Sequence, residues 1–393
     1  MVERMVYVDN NATTKVDERV VEEMLPFLNE HYGNPSSMHV FGGAVKKNLS
    51  TAREQIATLL GADPTEIIFT SCGTESDNMA LHSALMSAPE KRHLITTKVE
   101  HPAILNYCKQ LSKRGYGVTL LPVDRYGMID LNELYDSLQE DTAIVSIMYA
   151  NNETGTIFPI EKIGRMVQEN GSVFHTDAVQ VAGKIPLDMQ ALDSIDMLSI
   201  SGHKFHAPKG IGVLYVRRGT KFRPLLIGGH QERGRRPGTE NSASIIAMGK
   251  AAVLAQEALN DELTRVRAMR DRLERELLAA ISDSAVNGHP TERTPNTLNI
   301  SFKYVEGEAI LLMLSEKGIA ASSGSACTSG SLEPSHVLRA MGVPFTFSHG
   351  SVRLSLSRFN TDEDIDYILQ ELPPIIERLR QISPFGRNKE EPQ

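Results

Sequence analysis

Cysteine is scarce. Three thiols, Cys72, Cys108 and Cys327, are spread through 393 residues, and an odd number at wide spacing excludes a disulfide framework and fits a reducing cytoplasm. Long apolar runs are also missing. None approaches the length that spans a bilayer, and the opening Met1-Val-Glu-Arg-Met-Val-Tyr-Val8 lacks signal-peptide organisation. There is no surplus of positive charge. A net charge of -8 argues against nucleic acid or an anionic membrane as a direct partner. Twelve histidines show no zinc-type spacing with the cysteines, so no metal is expected. Repeats and low-complexity tracts are absent, and only the tail after Ser383 reads as disordered.

What is present is an ordinary globular composition, 41% apolar and 23% charged, in a chain long enough for two cores. From residue 65 onward, apolar runs alternate with helical patterns. The runs are 66–69, 93–96, 118–123, 143–148, 172–175, 196–200 and 212–216. That alternation predicts an α/β fold with a mostly parallel seven-stranded sheet covered on both faces. Two helices are expected at 242–260 and 261–281, the second with one apolar stripe (Leu263, Val266, Met269, Leu273, Leu277). Beyond 286 come further strand-like and helical stretches and a last helix opened by Thr361-Asp-Glu-Asp364, which Pro373-Pro374 should bend. The expected domains are 15–260 and a smaller α+β unit of 1–14 with 261–393.

The densest polar stretch is Ser201-Gly-His-Lys-Phe-His-Ala-Pro-Lys-Gly210, a tight loop between two strand patterns. Alone it would read as a solvated basic turn. Other strand ends are equally polar: Ser71-Cys-Gly-Thr-Glu75, Glu100-His101, Asn151-Asn-Glu-Thr-Gly155 and Thr176-Asp177 with Gln180. In an open α/β sheet, ligands sit beyond the carboxyl ends of the strands, so these groups converge on a polar ligand.

Their chemistry is specific. Gly73 and Thr74, at the start of a helix, suit a phosphate. Asp177 suits a protonated pyridine nitrogen, with Gln180 in reach of the same ligand. His101 can stack on a ring or move protons. Lys204, partly buried, is a candidate Schiff-base lysine. Each group has a commoner structural explanation when taken singly, such as an N-cap for Thr74 or Asp177; together they spell pyridoxal 5'-phosphate. Cys108 shares a helical face with Ile104, Leu105 and Leu111 and reads as core; Cys72 reads as packed.

Asp9-Asn-Asn-Ala-Thr-Thr14, Tyr32-Gly-Asn-Pro-Ser-Ser37, Val99-Glu-His101, Ala150-Asn-Asn-Glu-Thr-Gly155, His175-Thr-Asp-Ala-Val-Gln180, the 201–210 loop and Ser322-Ser-Gly-Ser-Ala-Cys327 resemble the group I cysteine desulfurases of the NifS/IscS type. The resemblance runs from residue 7 to about 383. It implies a fold-type I, aspartate-aminotransferase-like homodimer that takes sulfur from L-cysteine, leaves L-alanine, and passes the sulfur to an iron–sulfur scaffold protein. It also implies roles. Lys204 holds the cofactor and then moves the Cα proton, and His101 stacks and assists. Asp177 and Gln180 meet the ring nitrogen and hydroxyl. Gly73, Thr74, Ser201 and His203 bind phosphate, joined by Thr239 from the partner subunit. Asn152, Arg353 and Asn34 hold the substrate, and Cys327 is the nucleophile that becomes a persulfide. Departures at Cys72-Gly-Thr-Glu75 and Pro237-Gly-Thr239 keep the Gly/Thr chemistry, and His206-Ala-Pro208 leans toward the nitrogenase-associated subtype. An aminotransferase of the same fold would give Cys327 no task. A scaffold without turnover would be free to lose Lys204, His101 and Cys327.

Overall fold

The computed structural model describes residues 4–323 and 334–383. Its chain enters through β1 (Val6–Tyr7) and then builds a seven-stranded sheet. The strands are β2 (Ile67–Thr70), β3 (His93–Thr97), β4 (Gly117–Leu121), β5 (Thr142–Ser146), β6 (Val173–Asp177), β7 (Met197–Ser201) and β8 (Gly212–Val216). Their order is β2-β8-β7-β6-β5-β3-β4. All pairings are parallel except those of β8, which runs against both β2 and β7.

Most of these strands are buried along their whole length, because helices cover both faces; hence their continuous apolar runs. Leu198, Ile200 and Val213 are fully buried, and each such side chain contributes roughly 1.5–3 kcal/mol by leaving water. On one face, helix Val40–Leu60 packs on helix Ser242–Asp261. A Cβ at Gly249 would lie 2.7 Å from the Ala52 Cα, so this close approach requires glycine. The two helices expected at 242–260 and 261–281 run on without a loop between them. A π-turn over Glu262–Val266 joins Ser242–Asp261 to Arg267–Ala280, and it turns Glu262 into the interior.

The remainder of the chain builds an antiparallel sheet of β9 (Ser284–Asn287), β10 (Thr297–Phe302) and, after the short β11 (Ile319–Ala320), β12 (Ser351–Ser355), ordered β12-β10-β9. β11 pairs in parallel with β1. Val6 and Val8 therefore share a core with Leu273, Ile300, Leu354 and Ile368, while Val337, Leu338 and Met341 join the core of the large sheet. The last helix has the expected capping box at Thr361 and Asp364 and continues across both prolines to Ile382. Leu372, Ile375, Ile376 and Leu379 keep its inner face buried.

Candidate active site

β6 ends on Asp177 and β7 on Ser201, and the register pairs Asp177 with Ser199, so Ser201 projects two residues further. A single 3-10 turn, Gly202–Lys204, follows. A Cβ at Gly202 would lie 2.9 Å from Ile211 Cγ2 and 3.0 Å from Ala207 Cβ, so the turn folds tightly enough to bring Lys204 back over the sheet edge. The left-handed backbone of His206, φ 72°, is held by Thr14 Oγ1, which accepts its N–H at 2.8 Å.

This edge opens into a cavity of about 310 Å³, large enough for a cofactor-sized ligand. Of the residues singled out by sequence, Gly73, Thr74, His101, Asn152, Asp177, Gln180, Ser201, His203, Lys204 and Arg353 line it. Two stand elsewhere. Asn34 is exposed and away from the cavity, its carboxamide accepting the Ser36 N–H at 2.9 Å in a local turn. Thr239 is likewise exposed and outside the cavity of its own chain. Cys327 lies outside the described residues.

The Lys204 ammonium donates to the main-chain carbonyls of Asn11 at 2.6 Å and Ala12 at 2.8 Å. Asp177 is buried and accepts the Val179 N–H at 2.9 Å. Burial pushes its carboxyl up to about 6, against the Val179 bond and the Lys204 charge. Below it, Asp77 is pushed well above the usual carboxylate range by burial and then by Asp177. Both carboxyls are thus raised by burial, and Asp177 is the one that the Lys204 charge draws back down. His175 lies 3.7 Å from Asp77, but burial drives its imidazole down to about 3, so the contact is not an ion pair. Ser146 and Ser199 bond its two nitrogens at 2.8 and 2.9 Å.

His101 caps helix Pro102–Lys113, its Nδ1 accepting the Ala103 N–H at 3.2 Å. That fixes the neutral tautomer with its proton on Nε2. Burial, then the charges of Lys204 and His336, lower it to about 4. Burial and Lys204 likewise hold His203 at about 4. Arg353 is buried, donating to Asn152 O at 2.9 Å and Asp9 Oδ1 at 2.7 Å.

Pyridoxal phosphate can be tested against this chemistry. Helix Gly73–Ser87 starts at the cavity with no side-chain cap, which leaves donors for an anion. A Cβ at Gly73 would meet Val179 Cγ2 at 3.0 Å, and Ser201 Oγ is buried without a partner among the described residues. The cradle fits a phosphate, and Asp177 fits a pyridinium.

Asp77 and His336 line the cavity without a signal in the sequence reading, and Asn11, Glu153 and Cys72 line it from motifs quoted there without an assigned role. Cys72, which reads from sequence as packed rather than catalytic, lines the cavity. It is half-buried at the cavity wall because it precedes the helix start that forms that wall. Cys108 is core, its thiol pushed up to about 12 by burial and then Glu100.

A mostly parallel sheet whose carboxyl edge gathers a lysine, a carboxylate and an anion cradle defines the fold-type I class of pyridoxal-phosphate enzymes. Residues 6–368 match the family described as Aminotransferase class-V. A cysteine desulfurase of Trichormus azollae is 63% identical over 385 residues, 98% of this chain and 96% of that protein. The cysteine desulfurase NifS of Azotobacter vinelandii is 58% identical over 381 residues, 97% and 94% of the two chains. A solved NifS-like protein superposes with a TM-score of 0.90 at 41% identity, covering 96% of this chain and all of that one (100%). The chain belongs to the class-V aminotransferase family and, within it, to the NifS-type cysteine desulfurases.

Proposed function

We propose that the chain removes sulfur from L-cysteine, leaving L-alanine, with pyridoxal 5'-phosphate held at Lys204 and the sulfur received on Cys327. The observation that carries this reading is the meeting of Lys204, Asp177 and the Gly73–Ser201 cradle in one cavity. When bound, the cofactor supplies an electron sink for the substrate carbons.

Asp177 would hold the ring nitrogen protonated, and Gln180 would meet the ring hydroxyl. Gly73, Thr74, Ser201 and His203 bind the phosphate. Arg353 and Asn152 orient the substrate carboxylate. Lys204 would hold the cofactor and carry the substrate's Cα proton, and neutral His101 would assist from Nε2. The Cys327 thiolate attacks the substrate sulfur. A sulfur–sulfur bond forms, the carbon–sulfur bond breaks, and its electron pair returns to Cβ, which takes a proton; Cys327 ends as a persulfide.

The exposed Thr239 reaches a second copy's phosphate in a homodimer. The sulfur passes to an iron–sulfur scaffold protein in the cytoplasm. No helix among the described residues is long and apolar enough to cross a membrane. Residues 15–260 act as the cofactor domain, and 1–14 with 261–393 as the smaller one.

Adding L-cysteine to the cofactor-loaded chain, with and without a scaffold protein, should give alanine and protein-bound sulfur in equal amounts. Amino-group transfer to a keto acid without sulfur release would favour an aminotransferase instead.

A further inference from the structure

Lys184 is a second lysine beside the cavity, and the chemistry above gives it no task. It stands four residues after Gln180 and is 6% exposed. Its ammonium donates to Gln180 Oε1 at 3.0 Å and to Asn11 Oδ1 at 3.3 Å. The Asn11 carbonyl accepts both the Gln180 Nε2 at 3.0 Å and the Lys204 Nζ at 2.6 Å. Lys184 and Lys204 also share the wall of a small void of about 10 Å³ with Glu262, His206 and Arg358. Asn11 thus links one lysine by its main chain and the other by its side chain.

We propose that Lys184 is a positioning residue, which fixes the Gln180 amide and Asn11 and sets a second positive charge behind the amine of Lys204. The proposal rests on the reading of Lys204 as the residue that holds the cofactor.

The physical argument has two parts. An ammonium donates only, so Lys184 requires Gln180 to turn its oxygen inward. Gln180 then offers N–H, the group a ring oxygen would accept. Second, a buried cation beside an amine disfavours protonation of that amine. The groups facing Lys184 are few. Lys204, Arg353 and Arg358 are positive, Glu262 on the π-turn is the facing carboxylate, and His203 and His206 are each held at about 4, chiefly by burial. Burial, then Lys204, brings the Lys184 ammonium down to about 7, while Glu262 pulls the other way. Near neutral pH its charge therefore responds to its neighbours.

The test is a pH titration of the visible band of the bound cofactor in wild type, Lys184→Gln, Lys184→Met and Lys184→Arg, with melting of each cofactor-free chain as a control. The midpoint should rise by about one unit in the two neutral variants and stay close to wild type in Lys184→Arg. Lys184→Gln keeps a donor toward Asn11 and decides alone if Lys184→Met does not fold. Unchanged midpoints in the folded neutral variants, whatever their melting temperatures, would reduce Lys184 to structural support and overturn the proposal. So would failure of both to fold beside a folded Lys184→Arg. A wild-type chain that forms no visible band would remove the Lys204 reading, and this proposal with it.

Discussion

Asn11 and Lys204 are joined across 193 positions of sequence by a 2.6 Å bond from ammonium to main-chain carbonyl. The two partners are anchored differently. Lys204 follows a strand of the large sheet, whereas Asn11 is tied to β12: its N–H donates to Ser355 Oγ at 2.9 Å, and that of Asn10 to Ser355 O at 3.2 Å. Asn11 Nδ2 then donates to Asn152 O at 3.1 Å, the same oxygen that accepts Arg353 at 2.9 Å. The site lies where the N-terminal arm, the large sheet and the antiparallel sheet meet, and small shifts of the arm reach both the lysine and the arginine.

Arg353 therefore has a fixed fork. Replacing it by lysine keeps the charge but loses the planar pair of donors spanning Asn152 O and Asp9. Arg353→Lys should raise KM for L-cysteine about tenfold or more, with a smaller effect on kcat. Initial rates across substrate concentration measure this, and an unchanged KM would remove Arg353 from substrate binding.

Glu100 gives a prediction of pH-dependent stability. It is fully buried, with Oε1 accepting from Thr97 Oγ1 at 2.9 Å and from the Met148 N–H at 3.0 Å. Burial pushes its carboxyl up to about 8 despite those bonds. Between the ordinary carboxylate value and about 8, the folded chain holds a proton that the unfolded chain has released, so this group's contribution to stability falls as pH rises through that window. Glu100→Gln removes the dependence. The melting temperature of the variant relative to wild type should climb from pH 5 to pH 8 and level off above. A constant difference between the two proteins would show that Glu100 does not titrate there.

Cys327→Ala should keep the visible absorbance of the bound cofactor yet form no persulfide and release no sulfide from L-cysteine. Cys72→Ala, altering a thiol at the cavity wall, should keep both. Sustained sulfide release by Cys327→Ala would transfer the nucleophile's role elsewhere, with Cys72 the first thiol to examine.

The large sheet was legible because burial on both faces leaves strands apolar throughout, and the polar residues at their ends stand out by contrast. Asp177, Ser201 and Lys204 could be found that way, and His101 by its place after a strand. Asn11, Asp77 and Lys184 could not. Asn11 is held at the cavity by its tie to Ser355 of β12, a contact that no local pattern announces. Asp77 lies inside a helix whose other buried residues include Ser76 and Ser83, so it reads as an ordinary polar position. Glu262 is turned inward by a π-turn, a register change that leaves no composition signal. Asn34 differs again: its motif is distinct in the sequence, and in the structure its carboxamide closes its own turn.

The half-buried Lys204 and the buried Lys184 stand close to one ligand cavity, so the decisive measurement is which of them carries the cofactor. Borohydride reduction of the loaded chain, followed by peptide mapping, should place the cofactor on the peptide containing Lys204, and Lys204→Ala should abolish the label. Label on Lys184, or on no lysine at all, would contradict the assignment on which the site is built.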